Sequence, residues 1–163
     1  MRRSVFRLVG AAMALLAIGA CAFTPMKGYP GPALPASETA IVEGAWRTDL
    51  VSVDGVKVPG FSVALLPGQH TIEMIPGEHE QRPNYVWVFH SPVAGSITFM
   101  AEAGRRYLAG VDFADRPAPG YEDYSKWSWV GYIRDETTRA VAAWTGVLPL
   151  GAYPVWYTGA GTR

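Results

Sequence analysis

One cysteine in 163 residues, Cys21, excludes an intramolecular disulfide and any zinc site built on several thiolates. Excess charge is lacking too. Fourteen Lys+Arg stand against fourteen Asp+Glu, for a formal net charge of zero, and a nucleic-acid footprint needs clustered Lys and Arg, so no nucleic-acid partner is expected. The three histidines, His70, His79 and His90, are scattered. No Gly-rich phosphate loop opens a helix, since Gly159-Ala160-Gly161 ends the chain. No stretch of twelve or more residues carries a capped 3.6-residue apolar period, so at most one short helix is expected, near Glu136 to Trp144.

Aromatic and β-branched residues are plentiful, in short runs separated by Gly, Pro, Asn and Asp, which are strand and turn signals. Thr39–Glu43, Leu50–Val53, Ser62–Leu66 and His70–Ile75 form a first group of strands. Asp54-Gly55 between them is a hairpin signal, because Gly tolerates positive φ and Asp bonds its local backbone. Ile72 and Met74 share one face of their strand, Thr71 and Glu73 the other. In Tyr85–His90 both faces are apolar, so that strand should be covered on both sides. Ile97, Phe99 and Ala101 share a face; so do Tyr107, Ala109, Val111 and Phe113, and so do Trp127, Trp129 and Ile133. With Ala140–Thr145 this predicts an all-β chain, an antiparallel β-sandwich or open barrel of about eight or nine strands.

The N-terminus has a different character. Arg2, Arg3 and Arg7 precede the apolar run Leu8–Ala20, thirteen residues long, where a membrane-crossing helix needs roughly 20. A basic start, a short apolar stretch and small residues before a cut site make a secretory signal over residues 1–20. Its end, Ile18-Gly19-Ala20-Cys21, resembles the lipobox of bacterial lipoproteins. That resemblance implies a diacylglycerol thioether on Cys21, cleavage before it and acylation of the new amino group. Several acyl chains, at roughly 0.8 kcal/mol per buried methylene, hold a protein stably on a membrane. Ala22 stands where Asp commonly signals inner-membrane retention, so in a Gram-negative source the resemblance favours the periplasmic face of the outer membrane. Without residues 1–20, which carry three basic and no acidic side chains, 143 residues remain, with eleven basic and fourteen acidic groups and a net charge of −3.

Residues 21–37 hold Pro25, Pro30, Pro32 and Pro35 and read as a semi-rigid tether. Residues 38–163 then form a single β-sandwich domain. Within it Val51-Ser52-Val53-Asp54-Gly55, followed by Leu65-Leu66-Pro67-Gly68-Gln69-His70-Thr71-Ile72, resembles PEGA-like β-sandwich modules, and Ala101-Glu102-Ala103-Gly104-Arg105-Arg106-Tyr107 is similar to their continuation in small bacterial lipoproteins. The PEGA tetrapeptide itself is absent, and residues 116–126 look like an added loop. Such modules have no established catalytic role, so the resemblance implies a fold and not a reaction.

Each pattern that would carry chemistry is incomplete. Glu78-His79-Glu80 offers one histidine where zinc needs three or four convergent ligands. Asp112, Asp115, Glu122 and Asp123 lack the alternate spacing of a calcium loop. Ser62 lies in Gly60-Phe61-Ser62-Val63-Ala64, which is not Gly-x-Ser-x-Gly. No enzyme activity, cofactor or metal is therefore expected. His70 is read as holding its strand start by packing or hydrogen bonding. Tyr121, Tyr124, Trp127 and Trp129 lie within nine positions and are the candidate binding residues, since Trp and Tyr anchor interfaces and stack on sugars; in a β-sandwich the same residues are also the usual core filling, which is the favoured reading for Trp127 and Trp129. The expected function is a structural or protein-binding module, lipid-anchored in the bacterial envelope, with an envelope protein as partner; the alternative is a cell-wall glycan binder using the exposed aromatics. A hydrolase comes last.

Overall fold

The computed structural model describes residues 24–58, 60–77, 79–81, 85–113 and 127–156. These form fourteen strands: β1 (Met26–Lys27), β2 (Ala40–Gly44), β3 (Thr48–Val53), β4 (Val56–Lys57), β5 (Ser62–Leu65), β6 (Gly68–Pro76), β7 (His79–Gln81), β8 (Tyr85–His90), β9 (Gly95–Ala101), β10 (Arg106–Phe113), β11 (Ser128–Asp135), β12 (Val141–Trp144), β13 (Leu148–Pro149) and β14 (Gly151–Trp156). The protein is all-β. The larger sheet runs β1-β5-β2-β10-β11-β12, with β13 also paired to β11, and a four-stranded sheet runs β4-β3-β6-β9. A third sheet is β14-β8-β7, and the sheets do not close into a barrel.

Alternation along the strands explains why the two larger sheets face each other. In β9 every second residue is buried, Gly95, Ile97, Phe99 and Ala101, with Ser96, Thr98 and Met100 exposed between them. Leu50, Val53, Ile72, Met74 and β9's apolar face meet Ala40, Val42, Val63, Leu65, Ala109, Trp129 and Ile133 in one core. Burying a side chain of this kind contributes about 1.5–3 kcal/mol, so the shared core is what fixes the register of both sheets.

The topology departs from a purely antiparallel meander. β10 pairs in parallel with β2, Arg106 opposite Ile41 through Ala109 opposite Gly44, because it enters between β2 and β11 instead of closing a hairpin. The strand count exceeds the expected eight or nine, chiefly through the short pieces β1, β4, β7 and β13. The short helix expected near Glu136–Trp144 is replaced by a turn and a strand. Asp135 Oδ1 accepts the amides of Thr137 (2.6 Å) and Thr138 (3.0 Å), a local bond that competes with helix formation, and Arg139 turns the chain with φ 62° into β12.

The proline-rich segment is not wholly a free tether. Met26 and Lys27 pair in parallel with Val63 and Ala64 of β5, and the Gly28 amide donates to Ala64 O at 2.8 Å. A Cβ at Gly28 would sit 2.7 Å from Val63 Cγ2 and 2.9 Å from Leu65 Cδ2, so glycine is what allows the chain to lie this close.

These pairings orient the sandwich. At one end, the Trp46 end, β2 and β6 finish and β3, β5 and β9 begin; at the other, the Asp54 end, β3 turns into β4 and β10 begins.

Candidate functional site

At the Asp54 end, the two motifs that resemble PEGA-like modules meet. Asp54 and Gly55 have φ of 50° and 77°, the paired left-handed conformation that a two-residue hairpin requires. Asp54 Oδ1 accepts the Thr71 amide at 2.8 Å, and Oδ2 lies 2.7 Å from His70 Nδ1. His70 Nε2 lies 2.8 Å from Leu66 O. With a carboxylate on one side and a carbonyl on the other, both hydrogen bonds form together only when the ring carries both protons. Burial disfavours the Asp54 charge, but the Thr71 amide, the His70 hydrogen bond and the His70 charge together hold its carboxyl below the usual value of 3.8. His70 thus holds its strand start, as expected, and its two nitrogens are both occupied.

The aromatic candidates divide. Trp129 is fully buried and Trp127 is 7% exposed, so both are core filling, and their alternative use in a binding platform falls away. Trp129 Nε1 donates to Ser91 Oγ (2.9 Å) and Pro149 O (3.2 Å), satisfying the one polar group that its burial would strand. Trp127 stacks on Phe89 with centroids 5.1 Å apart, and Phe113 meets Trp127 edge-on at 6.5 Å. These rings join the β14-β8-β7 sheet to the sandwich. Trp129 lies on the core-facing side of β11 with Ile133, and Trp127, just before the strand, joins the same core. Tyr121, Tyr124 and Cys21 lie outside the described residues, as do Glu78, Asp115, Glu122 and Asp123.

Among the described residues the remaining chemical candidates are not assembled into a reacting group. The Ser62 hydroxyl is buried with no hydrogen-bond partner among the described residues, so no base activates it there. Among the described residues no group of three or more His, Cys, Asp or Glu side chains converges to hold a metal ion. Arg105 bridges to Glu102 and Asp135, at 3.4 and 3.6 Å, and Arg106 pairs with Glu43. Both arginines are engaged in ion pairs with acidic side chains.

Two exposed aromatics escaped the sequence reading. Trp46 is 82% exposed and Phe61 68%, and both lie at the Trp46 end, where the Gly44 amide donates to Phe61 O at 2.7 Å. The Arg47 guanidinium lies over the Trp46 ring, 4.0 Å from its centroid. Beside them opens a cleft of about 560 Å³ between Thr24 and Met26 on one side and Gly44, Gly60, Phe61 and Ser62 on the other. The signal was present in Gly44-Ala45-Trp46-Arg47, where a tryptophan sits in a turn and not on an alternating strand.

No protein-family model matches the chain, and comparison with curated proteins and with solved structures gives no match.

Proposed function

We propose that this chain is a lipid-anchored protein of the bacterial envelope, whose β-sandwich is a structural or protein-binding module with no catalytic role of its own. The observation that carries this reading is Ile18-Gly19-Ala20-Cys21 at the end of a thirteen-residue apolar run behind three arginines. In a Gram-negative source, Ala22 after the cysteine favours the periplasmic face of the outer membrane. The clasp of Asp54 on His70 supports a PEGA-like module, because it makes the hairpin and the Pro-Gly turn one unit. Engagement of both His70 nitrogens supports a structural role for that residue.

The test is Cys21→Ser expressed as the full chain. The expected result is loss of the protein from the membrane fraction, or retention of the uncut leader, together with loss of the lipid mass carried by the wild type. An unchanged mass and an unchanged membrane fraction would overturn the lipoprotein reading.

A further inference from the structure

Resting on the lipid anchor proposed above, we infer that the Trp46 end of the sandwich is the face that lies on the bilayer, with Trp46 and Phe61 seated in its headgroup region. The argument starts from strand register. β1 runs parallel to β5 with Met26 opposite Val63, which places Thr24 beside Phe61 as the chain runs back towards its N-terminus. Three residues span at most about 11 Å, and neighbouring strands lie about 4.8 Å apart. Cys21 is therefore held within roughly 11 Å of Thr24, and the Phe61 backbone stands one strand further. A lipid on Cys21 brings this corner, and not the Asp54 end, to the membrane surface.

The chemistry of the corner fits that location. Trp46 and Phe61 are the most exposed aromatics that the described residues place at this end, and Trp is enriched where membrane meets water, its ring being apolar and its N–H polar. The Arg47 guanidinium over Trp46 adds a cation at the level of lipid phosphates. Glu43, the acid bordering the cleft, is ion-paired to Arg106, so no unpaired carboxylate of the cleft opposes an anionic surface. By contrast, the Asp54 end presents charged turns, with Arg134 and Arg139 both bonded to Glu136. A water-facing role suits that end. Insertion of two rings beside a permanent anchor does not have to supply the binding; it sets the orientation of the domain.

The experiment uses the full chain purified from membranes of an expressing bacterium and reconstituted in phosphatidylethanolamine–phosphatidylglycerol vesicles with brominated acyl chains. Intact mass reports lipidation and tryptophan quenching reports the face. Trp46→Phe is expected to lose most of the quenching, while Trp144→Phe, at another exposed tryptophan, keeps it. A lipid-bearing protein quenched equally with and without Trp46 overturns the face and leaves the anchor standing. If the protein carries no lipid, the anchor reading falls. Coupling the Cys21 thiol to a maleimide lipid then still decides the face by the same comparison. In cells, Trp46→benzoylphenylalanine is expected to cross-link to phospholipid; cross-linking to a protein instead assigns the corner to a protein partner and overturns the proposal.

Discussion

His70 Nδ1 stands 2.7 Å from Asp54 Oδ2, sixteen residues away in sequence, and together with the Thr71 amide on Oδ1 this contact ties the turn of the β3–β4 hairpin to the start of β6. It also makes the hairpin's integrity depend on charge.

The first prediction follows from that charge. Asp54 and Asp135 are both held below their usual value of 3.8. For Asp54 burial is outweighed by the Thr71 amide and by His70, and for Asp135 the Thr138 amide leads, with burial opposing it and Thr137 and Arg105 assisting. A carboxyl whose folded value is depressed stabilises the fold above its unfolded value and loses that contribution as pH falls through the folded one. Unfolding free energy is therefore expected to decline below about pH 4. Asp54→Asn, which keeps a residue tolerant of positive φ, should flatten part of that decline. Asp54→Ala should cost about 1–2 kcal/mol at pH 7, measured by urea unfolding. An acid limb identical in wild type and Asp54→Asn would refute the role given to Asp54.

At the alkaline side the sign reverses. Burial is the main cause that raises the Tyr107 hydroxyl above its usual 10.0, with the Glu102 amide opposing it, and burial likewise raises Tyr132. The unfolded chain loses these protons before the folded one does, so stability is complete below about pH 10 and falls above it. Tyr107→Phe should weaken that alkaline loss. Titration of the tyrosine absorbance at the same midpoint as free tyrosine would contradict the assignment.

Packing gives a paired test. A Cβ at Gly95 would meet the Trp129 ring at 2.7 Å, so Gly95→Ala overpacks the core and should cost about 1–3 kcal/mol. Trp129→Phe removes the ring that Gly95 faces and leaves space. The double variant is therefore expected to be more stable than the sum of the two single losses allows. Strict additivity in denaturation midpoints would show that the two residues do not share this space.

Gly28 carries the fourth prediction. Gly28→Val should push Met26 and Lys27 off β5, given contacts already at 2.7 Å for a bare Cβ. Trypsin should then cut after Lys27 faster than in wild type, while the midpoint for the sandwich moves little. Equal cleavage rates would mean that the segment is not held there.

Much of this fold was legible because its strands alternate cleanly. β9 and β11 show a period of two in both sequence and burial, and the Asp54-Gly55 and Pro67-Gly68 turns are local chemistry. What failed was non-local. The parallel entry of β10 beside β2 depends on which edges meet, and nothing within either strand encodes it. The sequence left Trp127 and Trp129 open between core and binding platform for a related reason: an aromatic face is the same string of letters whether it meets solvent or a second sheet. The docking of Met26–Lys27 was hidden by the prolines around it, since a two-residue strand at an edge carries no periodicity.

That two-residue edge strand also sets how far the protein reaches. With β1 seated, a lipid on Cys21 leaves only a few residues of leash; released, the chain as far as Thr39 pays out, adding fourteen residues and about 45 Å of slack. Anchored as proposed, the same molecule would have a short stance and a long one. A pull on the sandwich away from the bilayer would be answered by this two-pair ladder giving way while the core stays intact.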